Sequence, residues 1–122
     1  MDVKEADYYE NVRPEMLGFI PNSAKTILEI GCGSGNFSAQ LVKEGVETWG
    51  VEPFEQSAKE ATEKLTKVLL GTLDEVLQDL PDNYFDAIVM NDVIEHLLEP
   101  WDDIVNLKLK LNRGLILIGL MR

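Results

Sequence analysis

Residues 26–36 read Thr-Ile-Leu-Glu-Ile-Gly-Cys-Gly-Ser-Gly-Asn, and no other stretch of the chain restricts the fold as tightly. The segment Lys25 to Ile30 is short, apolar and partly β-branched, the pattern of a buried strand. Gly31, Gly33 and Gly35 follow it at every second position. Glycine there lets the backbone enter φ > 0 and lets a ligand approach main-chain N–H groups without meeting a Cβ. Asn36 is the expected N-cap of a helix in which Phe37, Leu41 and Val42 recur at helical spacing until Gly45 ends it.

The alternation continues downstream. Glu47 to Val51 reads as a second strand, with Glu52 at its carboxyl end and Pro53 closing it. Phe54 to Leu65 is helical, with Glu60 and Lys64 paired at i, i+4. Lys67 to Leu70 is a short third strand, Gly71-Thr72 a turn, and Leu73 to Leu80 a short helix stopped by Pro81. Phe85 to Met90 is a fourth strand; a helix starts at Pro100 and runs through Trp101, Ile104, Val105 and Leu107; Gly114 to Leu120 is a fifth, strongly apolar strand. Upstream, Ala6, Tyr9, Val12, Met16, Phe19 and Ile20 suggest helical pieces interrupted at Pro14, which suits the first turn of the second piece. The predicted fold class is α/β: a Rossmann-like, mostly parallel sheet of about five strands with helices on both faces.

A length of 122 residues suits one domain, residues 1–122. No run of roughly 18 apolar residues suggests a membrane span, and no secretory pattern opens the chain. Cys32 has no second cysteine to pair with, so the expected location is cytoplasmic. The net charge of −11 argues against a nucleic-acid partner, whose binding rests on Lys and Arg neutralising phosphates. One Cys and one His make no closed ligand set, so no metal site is expected.

Open α/β sheets bind ligands beyond the carboxyl ends of their strands, where strand order reverses. Those ends gather Glu29 to Gly35, Glu52, Gly71 to Leu73 and Asn91 to His96. The glycines do not follow the dinucleotide spacing G-x-G-x-x-G, because the third comes one position early and Asn36 stands where it would be. That disfavours a nicotinamide-dependent oxidoreductase. Glu52 lies 21 residues after Gly31 at the end of the next strand, where a carboxylate can accept from both hydroxyls of a ribose.

In L-E-I-G-C-G-S-G, G-V-E-P and F-D-A-I-V-M-N-D-V-I-E-H, taken in order over residues 26–99, the chain resembles the class I S-adenosylmethionine-dependent methyltransferases, particularly their small-molecule-type domains. The resemblance implies S-adenosylmethionine as cofactor and a small-molecule or biosynthetic-intermediate acceptor. It places Gly31, Cys32 and Gly33 under the methionine and ribose portions, with Glu29 nearby and Gly35 setting the turn into the helix. Glu52 would hold the ribose hydroxyls, Pro53 and Phe54 would flank the adenine, and Asn91 would contact the methionine moiety. Where the family often has an acidic residue for the adenine amino group, this chain has Thr72, with Asp74 two residues on, so backbone groups of Thr72 and Leu73 are the candidates there.

Methyl transfer requires chiefly that acceptor and methyl be held in line, and a base only if the acceptor must lose a proton early. His96 is the first candidate base, with Glu95 and Asp92 behind it; a helix-capping or packing role for His96 competes with that reading. Cys32, between glycines, reads as a small residue beside the ligand rather than a nucleophile. Class I domains usually continue past the fifth strand with two more, whereas this sequence stops at Arg122, and the usual glycine pair before that strand reads Asn112-Arg113-Gly114-Leu115. A C-terminally short domain is therefore expected, with its apolar fifth-strand edge covered by a second copy, by the N-terminal segment or by further polypeptide. The competing function is a non-catalytic S-adenosylmethionine-binding or regulatory module of a larger protein.

Overall fold

The computed structural model describes residues 14–91 and 100–119. In chain order these form α1 (Pro14–Leu17), β1 (Thr26–Ile30), α2 (Asn36–Lys43), β2 (Glu47–Glu52), α3 (Glu55–Thr62), β3 (Lys67–Leu70), α4 (Leu73–Val76) running into a 3-10 turn (Leu77–Asp79), β4 (Phe85–Asn91), α5 (Pro100–Lys108) and β5 (Leu111–Gly119). The strands form one sheet in the order β3-β2-β1-β4-β5, every neighbouring pair parallel. The expected α/β architecture is present, and the chain reverses its direction of travel across the sheet between β1 and β4.

Alternation along the strands divides the core. Leu28 and Ile30 of β1, Val51 of β2, and Ile88 and Met90 of β4 face Leu73 and Val76 of α4 and Leu107 of α5. Ile27, Ala87 and Val89 point the other way, onto Phe37 and Leu41 of α2 and Met16 of α1. Ala61 and Leu65, at and beyond the end of α3, close over Cys32 beside Ala39 and Val42 of α2. Burying apolar side chains on both faces is what a parallel sheet demands of its central strands, and β1 and β4 carry few polar residues as a result.

Turn chemistry matches the strand ends. The helix α2 stops in a Schellman arrangement, with Gly45 at φ 87, its N–H bonded to Val42 O and the Val46 N–H to Leu41 O. At the amino ends of the strands Asp86 of β4 accepts from the Lys25 and Thr26 amides at 2.7 and 3.2 Å, which locks the start of β1 against its neighbour. Glu47 accepts there from the Trp49 indole at 2.8 Å and the Tyr84 hydroxyl at 2.5 Å, and that bond raises the tyrosine's pKa.

Three boundaries differ from expectation. Helix α2 is not capped by Asn36: Gly35, at φ 90, occupies the N-cap position, and Asn36 is the first helical residue, its side chain accepting from Lys64 at 2.8 Å. Gly35 suits that position because its backbone is left-handed and an added Cβ would lie 3.2 Å from Ala61 of α3. The helix expected over Leu73 to Leu80 is one α-turn followed by a 3-10 turn. Strand β5 starts at Leu111 rather than Gly114, because its register with β4 shifts between Phe85 and Ala87. Gly114 sits in that irregularity, where a Cβ would overlap the Asp86 carbonyl group.

Candidate functional site

The carboxyl ends of β1, β2 and β3 bring the sequence candidates together, and two backbone contacts decide the shape. The Gly31 and Cys32 amides both donate to Val51 O, at 2.7 and 3.1 Å, so the turn leaving β1 is tied down to β2. The Gly35 amide then closes onto Cys32 O at 3.0 Å. This tight path is possible because Gly31, Gly33 and Gly35 adopt φ of 72, 58 and 90. At Gly33 a Cβ would meet nothing within 4 Å, so the crest of the turn borders open space.

Glu52 organises the facing side. It is only 5% exposed, and its carboxylate bridges two loops: Oε1 accepts from the Gly33 amide at 2.8 Å and Oε2 from the Phe54 amide at 3.1 Å. A carboxylate oxygen has two acceptor directions, so each oxygen retains one for a further donor. Pro53 is exposed, and Phe54, the N-cap residue of α3, is 72% exposed beside this carboxylate.

Glu29 lies under the turn, buried on the α2 side of β1, and accepts from the Ser38 hydroxyl at 2.7 Å. Cys32 lies between the two carboxylates. Burial pushes its thiol well above the usual cysteine range, and Glu29 and then Glu52 push it further. The thiol stays protonated and donates to Gly33 O at 3.5 Å, which fits the reading of a small packing residue rather than a nucleophile.

Thr72 and Leu73 follow β3 at the same end. Thr72 caps α4 in a capping box: its hydroxyl accepts from the Glu75 amide at 3.4 Å, and its own amide donates to Glu75 Oε1 at 2.9 Å. The Leu73 side chain is buried in the core. The Thr72 amide is thus already engaged, and the groups left for an incoming ring are fewer than the sequence suggests. Asn91 ends β4, adjacent to the turn after β1 across the β1–β4 ladder. Asp92, Glu95 and His96 lie outside the described residues, as do Tyr8, Tyr9 and Arg13.

Sequence reasoning missed Glu75, Ser38 and Gly50. Thr72 and Glu75 have the T-x-x-E spacing of a capping box, a signal legible in the sequence. Ser38 and Gly50 had no such signal, because their partners, Glu29 and Cys32, lie 9 and 18 positions away. Among the described residues no group of three or more His, Cys, Asp or Glu side chains is placed to hold a metal ion, and no helix is long and apolar enough to cross a membrane.

S-adenosylmethionine, the cofactor implied by the family resemblance, matches what these residues offer. An open crest at Gly33 admits a ligand against main chain, and the paired oxygens of Glu52 suit a vicinal diol. The buried carboxylates of Glu29 and Glu52 favour a cation over a pyrophosphate.

Known proteins with similar sequences and folds are consistent with that match. A family model described as a methyltransferase domain matches residues 4–119. A mitochondrial ubiquinone biosynthesis O-methyltransferase from Bos taurus is 28% identical over 88 residues, covering 65% of this chain and 24% of the relative. A ribosomal protein L11 methyltransferase from Helicobacter acinonychis is 33% identical over 113 residues, covering 88% of this chain and 33% of the relative. A solved structure of an S-adenosylmethionine-dependent methyltransferase from Archaeoglobus fulgidus superposes with a TM-score of 0.72 at 27% identity, covering 90% of this chain and 54% of that one. The chain therefore spans about a quarter to a half of the length of these proteins.

Proposed function

From the premise that the chain belongs to the S-adenosylmethionine-dependent methyltransferase domains, we propose that it binds this cofactor at the turn after β1 and that the protein transfers the methyl group to a small-molecule acceptor. The observation that carries the proposal is the Glu52 bridge. One carboxylate fastens the cofactor turn through the Gly33 amide and the adenine-side loop through the Phe54 amide, while both oxygens keep an acceptor direction for a ribose hydroxyl.

The bound cofactor supplies an activated methyl on a sulfonium, so the protein's task is placement. Gly31 and Gly33 keep the floor of the site free of side chains. Cys32 fills the space beneath it without ionising. Glu29, held by Ser38, places a carboxylate under the turn, and Glu52 orients the ribose. Pro53 and the exposed ring of Phe54 offer an apolar wall for the adenine. Asn91, at the end of the strand beside β1, borders the methionine end.

The small-molecule reading draws on the ubiquinone-biosynthesis relative, whereas the ribosomal-protein relative is the reason to include a protein acceptor in the test. Calorimetric titration with S-adenosylmethionine, S-adenosylhomocysteine and NAD tests the cofactor. Binding of the two sulfur nucleosides but not NAD is expected, and loss of both on Glu52→Ala. Failure of both nucleosides to bind would defeat the reading. Methyl transfer is then followed with phenolic, amine and carboxylic acceptors beside a ribosomal protein preparation, and turnover confined to the protein acceptor would overturn the acceptor class.

A further inference from the structure

We infer that Gly50, in the middle of β2 and outside the ligand-contacting set, is a positioning residue that sets the height of the cofactor turn through Cys32. The inference rests on the cofactor reading above for its binding consequence but not for its geometry. A Cβ built on Gly50 would lie 2.6 Å from Cys32 Sγ, 3.0 Å from Cys32 Cβ and 3.0 Å from Leu65 Cδ1. Gly50 is not in a left-handed conformation, so its lack of a side chain answers a need for space and not for backbone freedom.

The turn has little freedom to accommodate an intruding methyl. Rotating the Cys32 side chain would move the sulfur but leave its Cβ at 3.0 Å, tighter than ordinary van der Waals contact. Sideways relief is limited because Cys32 is buried with Ala61 and Leu65. What remains is for the Gly31–Gly33 backbone to lift away from β2. Lifting stretches the Gly31 and Cys32 bonds to Val51 O, at 2.7 and 3.1 Å, the residue next to Gly50. It also pulls the Gly33 amide from Glu52 Oε1, now 2.8 Å away. The missing side chain at Gly50 thus lets Cys32 sink into the sheet and keeps the crest of the turn low enough for a ligand to lie between Gly33 and Glu52.

The coupling has a graded signature that general destabilisation lacks. Gly50→Ala should weaken S-adenosylhomocysteine binding by roughly ten- to a hundredfold, the scale of losing one hydrogen bond to a charged group such as that of the Gly33 amide to Glu52. It should also expose the thiol, raising its rate of reaction with a disulfide reagent. Adding Cys32→Ala removes the sulfur but leaves the tight Cβ, and should recover part of the lost affinity. Adding Cys32→Gly removes both, and should recover more.

The experiment measures S-adenosylhomocysteine affinity by calorimetry in the wild type, the Gly50→Ala variant and the two double variants, with thiol reaction rates for the first two. Support is affinity rising in the order Gly50→Ala, then with Cys32→Ala, then with Cys32→Gly, together with a faster thiol in Gly50→Ala. Unchanged affinity in Gly50→Ala, or a loss that neither second substitution relieves, overturns the inference. A wild type that bound no S-adenosylhomocysteine would remove the cofactor reading, and the thiol rate would still decide the geometry: faster supports it, unchanged overturns it. Should Gly50→Ala not fold, Cys32→Leu applies the same pressure from above. Weakened binding in that folded variant supports the inference, and wild-type affinity overturns it.

Discussion

The Gly33 amide lies 2.8 Å from Glu52 Oε1, and this bond joins the turn after β1 to the end of β2 across 19 positions of sequence. The partner oxygen holds the Phe54 amide at 3.1 Å, so both oxygens of one carboxylate are structural before any ligand arrives. Glutamine at this position has a single acceptor oxygen and an amide group that repels the second N–H. Glu52→Gln should therefore loosen one loop and lose one ribose hydroxyl together. Each charge-assisted bond is worth about 1.5–3 kcal/mol, so S-adenosylhomocysteine affinity should fall by roughly ten- to a hundredfold or more, measured by calorimetry. Affinity within twofold of wild type would contradict a ribose role for Glu52.

Asp86 ties pH to stability. The Lys25 amide holds its carboxyl below the ordinary value of 3.8, with the Thr26 amide and Asn112 side chain adding to this against the opposing effect of burial. A depressed folded pKa means that the stabilisation is fully present above the unfolded pKa and is lost as pH falls through the lowered folded value. Asp86→Asn should cost about 1–3 kcal/mol at pH 7, and the gap to wild type should narrow below roughly pH 4. Urea unfolding at pH 7, 4 and 3 measures it; a gap that widened on acidification would show the sign to be wrong.

Gly114 has no room for a side chain, since a Cβ would overlap the Asp86 carbonyl group. The crowding atoms, from Asp86 and Ala87, are all backbone, so relief requires the β4–β5 pairing to open at its irregularity. Gly114→Ala should destabilise by about 3 kcal/mol or more, at the upper end of overpacking costs, and hydrogen exchange should quicken first along 111–119. Lys108→Ala, at an exposed position of the preceding helix, brings no atom against the ladder and serves as the comparison; a Gly114→Ala loss no larger than that of Lys108→Ala would contradict the overlap.

The parts of this molecule that were legible in sequence are those whose causes are local. Gly31, Gly33 and Gly35 announce a turn because each needs φ > 0 for itself, and Glu52 is visible because it stands at the end of the second strand, just before Pro53. The parallel sheet follows from strands and helices alternating at short intervals. Asn36 misled because capping residues are usually polar, while here a left-handed Gly35, with no space for a side chain beside Ala61, 26 positions on, takes the N-cap position. The start of β5 was hidden for the same reason: Leu111 belongs to the strand only because the chain skips a step against Asp86. Nothing near Gly50 in the sequence marks its role, because the side chain that needs its space, Cys32, lies 18 positions away.

Thr72 offers a separation of two roles. Its hydroxyl accepts from the Glu75 amide, and its amide donates to the Glu75 carboxylate. The carboxyl of Glu75 is held below its ordinary value of 4.5 first by that backbone amide and second by the hydroxyl. Thr72→Ala deletes the hydroxyl and keeps the amide. It should cost about 1 kcal/mol of stability, the usual loss of an N-cap, read by urea unfolding. Yet Glu75, followed by NMR through an acid titration, should retain most of its depression, because the larger cause survives. Its contribution is present above the unfolded pKa and lost as pH falls through the lowered folded value. Thr72→Ser should keep both the cap and the depression. A Glu75 carboxyl that returned to its ordinary value in Thr72→Ala would mean that the hydroxyl, and not the amide, holds the start of α4.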